Sequence, residues 1–187
     1  NNFAAFFRLE LVQVPSRTSL KFKNDQIMKK LSGLVMIVLL WWGCNKDERE
    51  RLFEMVYPNT LFTLPAGANP SFPLVFEVNR QNTNIDFFLS QSATDTAAIN
   101  AINATFGTIT SLENGKEYYF IDEISVRICA TDRVECSPAD EVFYINDLRG
   151  RADDRVQLLP SLRNVKKLMT GAQFKLEVVF FLNDFPP

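Results

Sequence analysis

Histidine is absent from all 187 residues. That one gap removes Ser-His-Asp and Cys-His catalysis, where imidazole is the general base, and most zinc sites, where it is a ligand. Glycine is scarce: seven residues lie scattered along the chain, and no Gly-rich phosphate loop occurs. Three cysteines, at 44, 129 and 136, are too few without histidine to build an ordinary zinc centre, so neither a metal nor another cofactor is expected. A membrane-spanning run is lacking as well. The most apolar stretch, Leu31 to Trp42, has 12 residues, about 18 Å as a helix at about 1.5 Å per residue. A hydrocarbon core of about 30 Å needs ~20. Nor is there a basic excess: from Cys44 onward Lys and Arg number 14 and Asp and Glu 20. Nucleic acid is therefore not an expected partner, because its phosphates demand the opposite balance.

What is present has the order of an export leader. Met28-Lys29-Lys30 is followed by the apolar run and then by Gly43-Cys44. A positive start, a short apolar middle and a small residue before the cut make a secretory signal. Its competitors are a buried core helix and a true membrane anchor. The first would show a polar face, yet Ser32 is the run's single hydroxyl and no charge interrupts it. The second would need greater length. Leu40-Trp41-Trp42-Gly43-Cys44 resembles the lipobox of bacterial lipoproteins, with tryptophans at positions which that family usually fills with small or aliphatic residues. The resemblance implies that Cys44 receives a lipid, that the leader is cut before it, and that the new amine takes a palmitate-type chain. It thus implies a bacterial cell-envelope protein held on the outer membrane through Cys44. Lys46-Asp47-Glu48 resembles the short tag that sends some lipoproteins to the outward face.

The expected organisation follows. Residues 1–27 precede the leader and are read as an upstream extension outside the fold. Residues 28–43 are the signal peptide, 44–51 a polar tether, and 52–187 one domain. The 144 residues from Cys44 suffice for a real core. With Cys44 assigned to lipid, Cys129 and Cys136 are an even pair in an oxidising compartment, with six residues between them that include Asp132-Arg133. A bridge closing so short a loop contributes about 2 to 3 kcal/mol.

Period-two alternation predicts strands over 52–57, 60–64, 74–79, 141–145 and 173–183. Apolar residues on both faces of the last, with Val179 and Phe181 opposite Phe174, Leu176, Val178, Phe180 and Leu182, predict a central or doubly covered strand. Runs 104–112 and 116–130, joined by Glu113-Asn114-Gly115, predict a hairpin, since Asn-Gly suits its two positive-φ positions. Asn84 is placed to cap one short helix, and Ser161 and Gly171 to bound another over 161–169. Residues 94–101 fit helix or loop equally. Asp95-Thr96-Ala97 resembles an O-glycosylation motif of some lipoprotein-exporting bacteria, and Asn103-Ala104-Thr105 is a formal N-glycan acceptor.

The fold class expected is all-β: a β-sandwich, Ig-like or jelly-roll-like, of about seven or eight strands with one or two short helices behind a hydrophobic signal helix. Candidate chemistry is thin. Asp122-Glu123 are neighbours that point to opposite faces of a strand. Asp147, Asp153 and Asp154 offer oxygens but no EF-hand spacing. Tyr57, Tyr118, Tyr119 and Tyr144 would serve a sugar platform or pack in the core. The expected function is a non-catalytic binding or structural module with a protein or glycan ligand. The alternatives are a carboxylate-based glycan-active enzyme and an accessory subunit that lends a strand edge to an envelope complex.

Overall fold

Alternating apolar and polar residues choose strand over helix through most of the chain. The computed structural model describes residues 3–15, 52–112, 118–148 and 154–186. Among them are eight strands: β1 Phe3–Pro15, β2 Glu54–Leu64, β3 Leu74–Asn82, β4 Ile99–Ser111, β5 Ile121–Cys129, β6 Glu141–Ile145, β7 Arg155–Pro160 and β8 Gln173–Leu182. Two short helices accompany them, α1 Ile85–Ser92 and α2 Lys166–Met169. The strand order is β2-β1-β4-β7-β6-β5-β8-β3, antiparallel throughout.

The junction of β6 with β7 is only two residue pairs wide, Phe143↔Pro160 and Tyr144↔Leu159. Either side of it lies a leaf, β2-β1-β4-β7 on one side and β6-β5-β8-β3 on the other. The leaves face each other across aromatic side chains that neither could bury alone. Phe62 of β2 lies 5.5 Å from Phe76 of β3 and 6.3 Å from Phe180 of β8, ring centre to ring centre. Tyr57 meets Phe174 edge-on at 5.3 Å, and its hydroxyl donates to the Thr83 carbonyl at 2.7 Å. Near the junction Gly107 of β4 lies against the Phe143 ring, 3.2 Å from where a Cβ would stand. The all-β sandwich with short helices is thus the fold. The expected signal helix, Cys44 and the expected tether lie outside the described residues.

Three expectations are corrected. Residues 1–27 do not all stand outside the fold: Phe3–Pro15 pairs with β2 from Phe3↔Leu64 to Val12↔Glu54 and with β4 from Ala5↔Ser111 to Pro15↔Ile99. Its sequence carries strand alternation through Phe7, Leu9 and Leu11, and it joins two strand edges that would otherwise lack ladder partners. Second, the strands flanking Asn114-Gly115 do not pair. β4 has β1 and β7 as neighbours, β5 has β6 and β8, and the two lie in opposite leaves; the Asn-Gly itself falls outside the described residues. A turn signal is local, whereas the edges of β4 are taken by strands remote in sequence. Third, the helix expected over 161–169 shrinks to a single turn, Lys166–Met169. Ser161 is drawn away instead, its hydroxyl donating to the Glu141 carbonyl at 2.8 Å, and the Asn164 side chain accepts from the backbone of Ile102.

Smaller departures have equally local causes. The two strands expected at 52–57 and 60–64 are one, β2, which runs through Pro58. Asn84 sits at φ 51° with no side-chain bond to the helix it precedes. The ambiguous 94–101 stretch resolves into a 3-10 turn at Thr96–Ala98 and the start of β4.

Candidate functional site

Side chains alternate across a strand, so a β8 that sends Phe174, Leu176, Val178 and Phe180 inward must send Lys175, Glu177 and Val179 outward. All of these residues are nevertheless buried. The outward face is covered where the chain turns back after β5, and Cys129 and Cys136 are joined there by a disulfide with Cα atoms 5.5 Å apart. Register lines up a row of charge across four strands: Glu77 on β3 opposite Glu177 on β8, Glu177 opposite Arg127 on β5, and Arg127 opposite Glu141 on β6.

Lys175 sits beside that row, with 2% of its side chain exposed. Its Nζ lies 2.8 Å from a Glu177 carboxylate oxygen and 3.2 Å from one of Glu77, and it donates to the Val134 carbonyl. Burial works against the ammonium, but the hydrogen bonds and negative charges of Glu177 and Glu77 outweigh it and hold the lysine above its ordinary pKa. The same Glu177 oxygen accepts the Cys136 N–H at 2.8 Å. Each buried polar group here therefore answers another, and the bridged loop is tied to the sheet. At the far end of the row Ser125 donates to Glu141 at 2.6 Å and accepts from the Arg127 Nε at 3.3 Å.

A second cluster lies just beyond the loop. The Asp140 carboxylate accepts from the Ser137 N–H and hydroxyl, each at 2.8 Å, and pairs with Arg133 at 2.5 Å and Arg163 at 2.6 Å. Burial raises its pKa, yet the Ser137 hydrogen bonds and the two guanidinium charges bring it below the usual carboxylate range. Arg163 also donates to the Ala139 carbonyl, linking the approach to α2 with the entry to β6.

The expected site residues separate. Cys129, Cys136 and Glu177 place their ligand atoms within 4.8 Å of one another, but bridged sulfurs are not thiolates and hold no metal in that state. Tyr57 and Tyr118 belong to the core and not to a platform. Burial pushes both phenols well up, with the Asp154 charge adding to the effect on Tyr118. Tyr119 is exposed and stands edge-on to Phe120 at 5.6 Å. Asp147 is exposed at φ 55°, the Asp154 carbonyl accepts the Ser111 N–H at 2.7 Å, and Asp153 lies outside the described residues.

The acids that share a field are instead Glu123 and Glu141. Burial, then the charges of Glu141 and Asp122, raise the Glu123 pKa, and Arg127 opposes them. Asp95 and Thr96 form an exposed turn, the Asp95 carboxylate accepting from the Thr96 hydroxyl at 3.0 Å and the Ala97 N–H at 3.4 Å. Asn103 lies within β4, opposite Val12. Reading the sequence overlooked Lys175 and Glu177. Their signal was two charges on the very face of β8 where Val179 and Phe181 are apolar. Among the described residues no helix is long and apolar enough to cross a membrane. No family model, curated protein or solved structure matches the chain.

Proposed function

We propose that this chain is a lipid-anchored cell-envelope protein whose β-sandwich is a non-catalytic binding or structural module. The carrying observation is how the three cysteines divide. Cys129 and Cys136 are bridged, the state thiols reach in an oxidising compartment. The one left over, Cys44, directly follows Gly43 at the end of a Lys-Lys-apolar leader. The covered β8 face, with its ion cluster and bridged loop, supports a bracing role for that leaf, because its charges are engaged with one another and not turned to a ligand. Protein or glycan remains the ligand class, and the outward leaflet of the outer membrane the proposed location.

Mass spectrometry of the membrane fraction tests this reading. Acylated Cys44 as the N-terminal residue is expected, and Cys44→Ala should shift the domain out of the detergent-extracted fraction. An intact leader with a free Cys44 thiol would overturn the proposal.

A second reading rests on Glu123, whose burial and then the charges of Glu141 and Asp122 make it hold its proton more readily than usual. A glycan-active enzyme would lose turnover on Glu123→Gln while keeping its melting temperature. The binding reading expects no hydrolysis of envelope glycans by the parent protein at all.

A further inference from the structure

β1 and the leader place opposite demands on the same chain. β1 stands between β2 and β4, antiparallel to both, and among the described residues it is the one strand with which β2 forms a ladder. In the envelope reading, Lys29 and Lys30 keep everything before them on the cytoplasmic side, and cleavage before Cys44 severs it. Phe3–Pro15 then cannot accompany the sandwich outward.

Resting on that reading, we propose that the exported sandwich has an open strand position between β2 and β4, and that an extended segment of another envelope protein fills it. The position has definite chemistry. Vacating it strips one edge each of β2 and β4 of its backbone partners, which makes both templates for pairing. Met55, Phe62 and Leu64 of β2 and Ile102, Ala104 and Ile109 of β4 are all buried beside it. The incoming strand must therefore be apolar at every second residue on its inward side. Leu61, Thr63 and Thr105 are exposed, so its outward side tolerates polar residues. It must run antiparallel to both neighbours and match the span from Ile99 to Ser111. Main-chain hydrogen bonds supply affinity in this mode of recognition, and alternate side chains supply selectivity. A second copy is a poor donor, since β3 to β8 are each paired within their own sheet. β2 itself stays on the core through Phe62 and Tyr57.

The test uses the chain of residues 1–187 made in a bacterium that processes lipoproteins and extracted in mild detergent. Mass spectrometry first establishes whether it is cut and acylated at Cys44. A fluorescent synthetic peptide of residues 1–16 then serves as the strand probe, against a scrambled peptide of the same composition. Processed protein should bind the ordered peptide saturably, at least about tenfold more tightly than the scrambled one, and hydrogen exchange should slow across 54–64 and 99–111. Processed protein that binds both peptides alike would overturn the proposal. So would amides of 99–111 that are fully protected without peptide, through β2 closing onto β4 or through a swapped dimer. An uncut chain with a free Cys44 thiol would instead sink the envelope reading, and the proposal with it; the mass separates that failure from the others.

Discussion

The two leaves of this sandwich are closed to different degrees. In the β6-β5-β8-β3 leaf the central strands are covered on both faces: β8 is buried from Phe174 to Phe180, and its outer side lies under the Cys129–Cys136 loop. In the β2-β1-β4-β7 leaf, β7 buries only Val156 and Leu158 and leaves Arg155, Gln157 and Leu159 outside. The first leaf covers its outer side with the loop that directly follows β5, although its edge strand β3 pairs with β8 far along the chain. The second takes its inner strand from residues separated from β2 by a long intervening stretch. Stability in the one is concentrated at a few side chains, and integrity in the other depends on which strand occupies one position.

That contrast can be broken first at the core. Phe180 is fully buried between Phe62 and Phe76, so Phe180→Ala should cost about 3–5 kcal/mol, read as a fall in the urea midpoint. A loss below about 1 kcal/mol would mean that the leaves do not meet there. Next is Lys175→Met, which strands Glu177 in a buried site. About 3 kcal/mol is expected, at the low end for a buried pair because Glu77 is still partly in water. Adding Glu177→Gln, which can still accept the Cys136 N–H, should recover part of that loss. Gln157→Met on the open leaf should stay within about 0.5 kcal/mol. Equal effects from the single changes at 175 and 157 would erase the comparison.

Removing the bridge with Cys129→Ala and Cys136→Ala should cost about 2 to 3 kcal/mol by the chain-entropy model. Deuterium uptake should rise first over 130–140 and not in β4 or β7. The smallest expected effect is in acid. Asp140 is held below the ordinary carboxyl value, so it contributes stability at neutral pH. That contribution is retained above the unfolded value of about 3.9 and lost as pH falls through the lower folded value. Asp140→Asn should flatten the acid limb of a stability-against-pH curve, and an unchanged limb would show that other carboxylates carry it.

Much of the double-covered leaf was legible because its signals are local. Apolar residues on both faces of 173–183 announced an interior strand, and two cysteines with six residues between them announced a short loop. Failures arose where pairing is remote. Asn114-Gly115 described a turn well enough to suggest a hairpin, but the preference of β4 for β1 and β7 is decided by strands far along the chain. The apolar residues of Phe3–Pro15 fit a short helix or a strand, and their place before the expected leader, which concerns processing and not packing, puts them outside the expected fold. Lys175 and Glu177 share a face with apolar Val179 and Phe181, but charges in a strand read as solvent-facing until the loop above them is known.

Gly107 has a consequence for whatever strand lies next to β4. It is paired with Leu9 on one side and Leu158 on the other, and a methyl group in place of its hydrogen would meet the Phe143 ring at 3.2 Å. One missing carbon thus sets the gauge of the sandwich at the corner where its leaves converge. Alanine there would act as a shim, and either the Phe143 ring or β4 would have to give by a few tenths of an ångström, with every hydrogen-bonding residue along the seat unchanged.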